Sequence, residues 1–176
     1  MDDILQQRVI FDDIASKPVE IEFTQPAQSS DGGVALLRKV DRDLGLTERL
    51  AAAVKDGRDL DRVEHPLVEL FRERIFAIAC GYPDCNDLDA LCNDPMLKLV
   101  CGQSPVGDSR LASQPTLSRF ENSMRRTDLM RMAYTMCDGV LEAQQQRRRK
   151  RLPRWITIDM DPTDDPTYGG QQLTFF

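Results

Sequence analysis

Residues 155–176 read WITIDMDPTDDPTYGGQQLTFF and carry the strongest signal in the chain. An apolar run ends in Asp159 and Asp161, and a proline-rich turn follows before a second run of β-forming residues. Because side chains alternate between the two faces of a strand, Asp159 and Asp161 should point to the same side. Neighbouring carboxylates repel each other unless a hard divalent cation neutralises them. The stretch therefore predicts a strand that carries a magnesium or manganese site.

Three kinds of site can be compared with this acidic strand end. A calcium loop of the EF-hand type is excluded, because Asp164 and Gly170 stand where that loop needs glycine and glutamate. A phosphohydrolase of the haloacid dehalogenase type would use Asp159 as nucleophile and Asp161 as acid/base. That motif usually opens a catalytic domain, whereas ~150 helix-rich residues precede it here. An RNase-H-like core for polynucleotidyl transfer would take one metal-binding aspartate from its first strand.

The composition is that of an ordinary globular protein. With 176 residues and 41% hydrophobic content, the chain can bury one sizeable core. No apolar run approaches the ~18–20 residues of a membrane span, and the first residues lack the features of a secretory signal. Five cysteines at irregular spacing predict free thiols in a reducing cytoplasm rather than a disulfide framework or a zinc site.

Charge is distributed unevenly along the chain, whose net charge is −6. Residues 1–100 contain 12 basic and 20 acidic side chains, residues 101–154 contain 11 and 5, and residues 155–176 contain 4 acidic ones. A basic zone directly before a carboxylate cluster suits a protein that binds a phosphate backbone beside a metal site. A solvated helix surface would give the same pattern, so charge alone leaves both interpretations open.

The periodicity of apolar residues predicts a mainly helical body. Alternation over residues 19–24 predicts a strand, and residues 25–33 have the composition of a loop. Helical spacing begins at Val34, and Gly45 is expected to end one helix and to start the next. Asn86 and Asp87 can cap a short helix through residue 91. Further helices are predicted over residues 95–100, 114–123 and 128–147, with Asp94, Ser113 and Thr127 as their caps.

Two of the predicted helices have apolar stripes that assign their buried faces. The helix that begins at Pro66 is the best candidate for the centre of the core. Its stripe comprises Leu67, Leu70, Phe71, Ile75, Ile78 and Ala79. The last helix is predicted to turn Leu129, Met132, Met136, Val140 and Leu141 inward.

The segment from Ser113 to Asn122 has the form of the second helix of a helix-turn-helix, which projects polar side chains into the major groove. The candidate base contacts are Gln114, Ser118, Arg119 and Asn122, while Leu117 and Phe120 would hold the helix to the body. Glutamine and asparagine suit adenine edges, and arginine suits guanine. An ordinary surface helix remains the alternative.

Residues 147–154 contain six basic side chains in eight positions. The candidate phosphate contacts in this basic run are Arg147, Arg148, Arg149, Lys150 and Arg151. Arg125, Arg126 and Arg131 would extend the same positive surface if the helices pack together. A solubilising linker is the alternative, in which case the chain would be a non-catalytic helical interaction module.

Five segments, found in the same order, together resemble the DDE transposases of bacterial insertion sequences. They are SSDGGVALLR (29–38), ACGYPDCNDL (79–88), DPMLK (94–98), SQPTLSRFEN (113–122) and IDMDPTDDPTYG (158–169). The resemblance spans nearly the whole chain, so it is far more specific than any single motif. It concerns the front part of these enzymes, because their second catalytic aspartate and their glutamate lie well beyond the equivalent of Phe176.

The resemblance implies hydrolytic nicking of the DNA at the ends of the element, followed by attack of the freed 3′-hydroxyl on target DNA. Two Mg²⁺ (or Mn²⁺) ions held by carboxylates would support this chemistry in the complete enzyme. Asp161, which is followed by Thr163, best matches the first catalytic and metal-binding aspartate, with Asp159 as the reserve. The helices would bind double-stranded DNA at the terminal repeats and help to form a homodimer in the synaptic complex, in the nucleoid of a bacterium.

The expected architecture is mainly α, with an N-terminal helical DNA-binding domain followed by the first strands of an incomplete RNase-H-like α/β catalytic domain. Residues 1–152 would form the helical DNA-binding and assembly region, including a short strand. Residues 153–176 would begin the catalytic domain, with Pro153 at the boundary. A chain truncated in this way is expected to be inactive by itself, because one carboxylate strand cannot assemble a two-metal centre.

Overall fold

A computed structural model describes residues 9–12, 14–15, 17–21, 28–107, 109–147, 155, 157 and 159–160. Over these ranges the protein is mostly helical and has a single two-stranded sheet, which confirms the mainly α prediction. The sheet pairs β1 (Val9–Phe11) with β2 (Val19–Ile21) in antiparallel register. The predicted strand is confirmed as far as Ile21, and residues 22–24 lie outside the described ranges.

Seven α-helices make up most of the described chain. They are α1 (Val34–Leu44), α2 (Leu46–Ala53), α3 (Leu67–Ala79), α4 (Leu88–Leu91), α5 (Pro95–Cys101), α6 (Gln114–Asn122) and α7 (Arg126–Arg147). Short 3-10 turns at Leu60–Arg62 and Cys85–Asp87 precede α3 and α4. Each helix predicted from periodicity is present, with ends that are shifted by the local capping groups.

Helix α3 lies between the two apolar clusters of the core, which confirms its predicted central place. Leu70 and Phe71 belong to the cluster completed by α2, α4 and α6, whereas Phe76 belongs to the cluster formed with α1 and α5. The predicted stripe is wrong at the end of the helix, where Ile78 and Ala79 are exposed. Because α3 is covered on two sides, no single stripe describes its buried surface.

The corner between α1 and α2 is fixed by the carboxylate of Asp41. Gly45 ends α1 with a φ of 62°, a left-handed conformation that favours glycine, and its N–H donates to the Asp41 carbonyl at 2.7 Å. The backbone N–H and the hydroxyl of Thr47 donate to the Asp41 carboxylate at 2.8 and 2.7 Å. Arg38 donates to the same carboxylate at 2.7 Å. A side chain of α1 therefore caps the first turn of α2.

The inner face of α1 is only partly apolar, since Arg38 and Asp41 are buried in it together with Val34 and Ala35. The apolar residues that predicted this helix lie largely on its outer side. Leu36, Leu37, Val40 and Leu44 are 58%, 40%, 53% and 47% exposed, respectively.

Acidic side chains begin several of the helices. Asp94 accepts hydrogen bonds from the N–H groups of Met96 and Leu97, which confirms it as the cap of α5. Asp87 is at the N-cap position of α4, as predicted, but its side chain makes no capping hydrogen bond. The preceding 3-10 turn is capped by Asp84, which accepts from the N–H of Asn86.

Helix α7 begins earlier than predicted, and of the residues predicted to point inward only Met132 does so. Asp128 accepts from the N–H of Arg125 at 3.2 Å, so the helix starts at Arg126 and the predicted capping role of Thr127 is wrong. The buried or half-buried face of α7 consists of Asp128, Met132, Thr135, Gly139 and Ala143. Leu129, Met136, Val140 and Leu141, which were predicted to point inward, are each more than half exposed.

The face of α7 that packs toward the body carries mostly small side chains after its first turns. Helix α7 packs against α2, and a Cβ atom on Gly139 would lie only 4.0 Å from a guanidinium nitrogen of Arg49. Arg49 also forms an ion pair with Glu142 at 2.7 Å. The inner face of α7 thus carries Thr135, Gly139 and Ala143 beside Met132, whereas Leu129, Met136 and Val140 lie outside.

The five cysteines, all of which lie in the described ranges, are free thiols. No helix among the described residues is both long enough and apolar enough to span a membrane.

Candidate nucleic-acid interface

The exposed face of α6 carries three of the four predicted base-contacting residues. Leu117 and Phe120 are buried and attach the helix to the core, as predicted. Ser118, Arg119 and Asn122 lie on the opposite side of the helix, because residues one turn apart share a face. Arg119 and Asn122 are exposed and Ser118 is half-buried, so a partner that approaches α6 from solvent meets Arg119 and Asn122 first.

Gln114 lies at the edge of this face, at the first position of α6. Its backbone N–H donates to Asp89 at 2.9 Å, and the residue is half-buried. The side-chain amide of Asn122 donates to the carbonyl of Ser118 at 2.8 Å, which holds the Asn122 side chain along the helix. Gln114 and Ser118 are therefore both less accessible than Arg119 and Asn122.

A cleft of about 700 Å³ opens beside α6. Its walls are the loop of residues 54–58, the C-terminal half of α6 and the first turns of α7. Five basic residues line it, namely Lys55, Arg58, Arg119, Arg125 and Arg131. The cleft joins the candidate base-contacting helix to the positively charged start of α7.

The acidic groups of the cleft are already engaged. Arg58 donates to both carboxylate oxygens of Asp56, at 2.9 and 2.8 Å, and this hydrogen bonding lowers the pKa of Asp56 and raises the pKa of Arg58. Asp128 accepts from Arg131 at 3.2 Å and from the backbone of Arg125. Both carboxylates are thereby neutralised within the cleft.

Three cationic side chains of the cleft remain exposed. Lys55, Arg119 and Arg125 have no ion-pair partner among the described residues. Arg126, which begins α7, is exposed beside them. An excess of unpaired positive charge at a cleft is the electrostatic condition for binding an anionic partner such as a phosphate backbone.

The basic run lies at the other end of α7. The 22 residues of α7 run from Arg126 to Arg147, and at about 1.5 Å per residue they separate the two positions by roughly 30 Å. Arg125 and Arg126 therefore lie roughly 30 Å along α7 from Arg147, where the basic run begins. The side chain of Arg147 and the whole of Arg148, Arg149, Lys150 and Arg151 lie outside the described residues.

The predicted metal-binding aspartates are described only in part. Asp159 is exposed, and Asp161 lies outside the described residues. Within the described ranges there is no group of three or more histidine, cysteine, aspartate or glutamate side chains that could hold a metal ion. Asp159 alone offers too few oxygen ligands for a hard divalent cation, which needs about six.

Lys55 and Arg58 were not among the residues predicted for the positive surface. Both follow α2 in a loop that gives no basic cluster in the sequence, since Asp56 and Asp59 interrupt it. Only the packing of α2 against α7 brings Lys55 next to Arg131 and into the cleft.

The chain matches one family of known proteins over nearly its whole length. Searches of curated proteins and of solved structures each gave no match. A family model described as transposase DDE domain group 1 matches residues 11–176. That range includes the helical body, the cationic cleft and the acidic residues Asp159 and Asp161. The chain therefore belongs to the transposase DDE domain family, group 1.

Proposed function

We propose that this chain is the DNA-recognition region of an insertion-sequence transposase, which binds the terminal repeats of its element as double-stranded DNA. The observation that carries this proposal is the group of three unpaired cations, Lys55, Arg119 and Arg125, around a cleft beside the exposed face of α6. Membership of a transposase family makes DNA the anionic partner that this surface would bind.

Two separate phosphate-binding zones are proposed, one at the cleft and one at the basic run from Arg147 to Arg151. Helix α7 places the beginning of the basic run roughly 30 Å from the cleft. One turn of B-DNA is about 34 Å long. A duplex that lies along α7 could therefore meet both zones on the same side of its backbone.

Base recognition is assigned to the exposed residues of α6. Arg119 can donate two hydrogen bonds to the major-groove edge of guanine, and the amides of Asn122 and Gln114 can pair with adenine. Ser118 lies between them and can contact either base or phosphate. Because Arg119 also lines the cleft, it connects base recognition with phosphate binding.

The catalytic chemistry is assigned to the acidic segment that contains Asp159 and Asp161. DDE transposases generally use divalent metal ions. In the complete enzyme, Asp161 would be a metal ligand, and Asp159 would be the second candidate for the same role. Bound Mg²⁺ would polarise the scissile phosphate and lower the pKa of the attacking water or 3′-hydroxyl. The proposed reactions are DNA cleavage and strand transfer, that is, transposition and recombination of the element.

A homodimer is proposed as the assembled state on DNA. Leu129, Ala133, Met136 and Val140 are exposed on one face of α7. Their separations of four, three and four residues are those of a helix-pairing seam. A second copy of α7 would cover this apolar stripe, and two copies would hold the two ends of an element together.

Electrophoretic mobility shifts with duplex DNA, measured across a range of salt concentrations, test the proposed function. We expect binding that weakens steeply as salt rises, because each bound phosphate releases counterions. Replacing Lys55, Arg119 and Arg125 by glutamine should reduce the slope of log K against log salt by about 0.9 for each phosphate that the variant no longer binds. Neutralising residues 147–151 should also reduce it.

The matched control replaces Arg42 and Arg62, two exposed arginines outside the cleft, by glutamine. This control should bind DNA like the wild-type chain. An unchanged salt dependence in both the cleft variant and the basic-run variant would contradict the proposal. Hydrolysis of phosphate monoesters that is lost in Asp159→Asn would instead favour a dehalogenase-type phosphohydrolase.

A further inference from the structure

The cleft beside α6 combines an apolar floor with a cationic mouth. Buried Leu70 and Phe120 form part of the floor, and partly buried Val54, Leu67 and Met124 complete it. Lys55, Arg119 and Arg125 stand exposed around the opening. A ligand that matches this arrangement needs an apolar or planar part to enter and negative charge that stays outside.

The arrangement of the three cationic side chains favours one kind of anionic ligand over another. The three cations come from three different elements, the loop after α2, the end of α6 and the residue before α7, so they surround the mouth. The carboxylates of Asp56 and Asp128 are already paired with Arg58 and Arg131. Several separate negative groups, repeated along a chain, fit this distribution better than one compact anion.

We propose that the cleft binds an unpaired nucleotide of a DNA strand. Its base would lie against Leu67, Phe120 and Met124, and the flanking phosphates would contact the cations at the mouth. A base inside a duplex has both faces covered by its neighbours, so it can enter such a cleft only where the strand is unpaired or the base is turned out. The inference rests on the proposed DNA-binding function and adds a strand-specific site to it.

A substitution at Gly57 blocks the cleft with little risk to the fold. Gly57 lines the cleft, and a Cβ atom at this position would meet no atom within 4 Å. Gly57→Leu would therefore add an apolar side chain to the wall of the cleft, where it would compete with the base for room. Gly33→Leu is the matched control, because Gly33 is exposed, has equally open surroundings and lies outside the cleft.

The test measures binding of a fluorescently labelled oligothymidylate to the full chain by anisotropy. We expect Gly57→Leu to weaken binding by about tenfold or more, in the range observed when one base loses its stacking surface. Gly33→Leu should bind like the wild-type chain. Lys55→Gln with Arg125→Gln should weaken binding and lower its salt dependence, which keeps the test valid if Gly57→Leu is poorly folded.

Competing ligands separate the alternatives. A duplex can contact the cations at the mouth but cannot place a base in the cleft, so Gly57→Leu should weaken binding of the single strand more than binding of its fully paired form. Equal binding of the single strand by Gly57→Leu and wild type, with duplex binding intact, would overturn the strand-specific site alone. Failure to bind either DNA would overturn both proposals. Binding of an acidic, leucine-containing peptide but not of the single strand would show a protein-docking cleft and would also overturn the site.

Discussion

At the scale of single residues, Glu73 has the most unusual surroundings. The residue is 1% exposed, and its Oε2 accepts a hydrogen bond from the N–H of Ala112 at 3.0 Å. Its Oε1 has no hydrogen-bond partner among the described residues. Burial raises the pKa of Glu73 to about 8, partly opposed by the Ala112 hydrogen bond and reinforced by the nearby charge of Glu69. The side chain therefore holds a proton in the folded state at neutral pH.

This proton makes stability depend on pH. The pKa of Glu73 is higher in the folded than in the unfolded chain. The protonated side chain therefore contributes to the free energy of unfolding in full below about pH 4.5, and this contribution is lost as pH rises through about 8. We expect Glu73→Gln, which is neutral at every pH, to stabilise the protein at pH 9 relative to wild type by on the order of 2–4 kcal/mol. Urea unfolding at pH 5 and pH 9 measures the effect.

The matched control for this prediction is Glu64→Gln, since Glu64 is exposed on the loop before α3. It should leave the pH dependence of unfolding as it is in the wild-type chain. A wild-type free energy of unfolding that does not fall between pH 5 and pH 9, relative to Glu73→Gln, would contradict the assignment.

At the scale of secondary structure, the α1–α2 corner depends on a backbone conformation that favours glycine. Gly45 has a φ of 62°, although a Cβ atom there would meet only the Arg49 side chain at 3.8 Å. We expect Gly45→Ala to destabilise the protein by ~1 kcal/mol through strain rather than through a clash. Thermal unfolding should show a lower Tm.

Gly57→Ala serves as the comparison, because Gly57 has a φ outside the left-handed region and open surroundings. Its Tm should equal or slightly exceed that of the wild-type chain, since alanine reduces the freedom of the unfolded chain. A drop as large as that of Gly45→Ala would show that the backbone conformation of Gly45 is not the cause.

Helix positions were predictable from the sequence, but the faces of the helices were not. Capping residues such as Asp94 and breakers such as Gly45 act locally, so the sequence beside them locates the ends of helices. The face of α7 was assigned wrongly because apolar content was used as the criterion. Packing against α2 instead selects the small residue Gly139 and leaves Met136 and Val140 exposed.

At the scale of the whole molecule, the exposed stripe on α7 predicts self-association. We expect the wild-type chain to form dimers, and Met136→Glu with Val140→Glu to weaken the dimer by at least about tenfold, because charge would be buried in an apolar seam. Light scattering at several protein concentrations measures the molar mass. Gln144→Glu, an exposed change near the end of the same helix, should leave the dimer intact.

The same measurement can refute the homodimer. A wild-type chain that stays monomeric at high concentration, both alone and with duplex DNA, is incompatible with pairing through α7. Equal loss of the dimer in Gln144→Glu and in the Met136 and Val140 variant would point to general charge repulsion instead of a seam.

Only part of the candidate site could be predicted from the sequence. The polar face of α6 follows from helical periodicity, so Ser118, Arg119 and Asn122 could be named in advance. The cleft could not, because Lys55 and Arg125 are 70 positions apart in the sequence and meet only through the packing of α2 on α7. Asp159 and Asp161 as metal ligands remain a prediction.

The carboxylate of Asp41 has a consequence for how the molecule moves. It holds the end of one helix, the beginning of the next and a buried guanidinium at once. Such a shared anchor cannot release one helix and keep the other. The segment from Val34 to Ala53 should therefore detach and re-form as one cooperative unit, with its amide protons sharing one free energy of opening in hydrogen exchange.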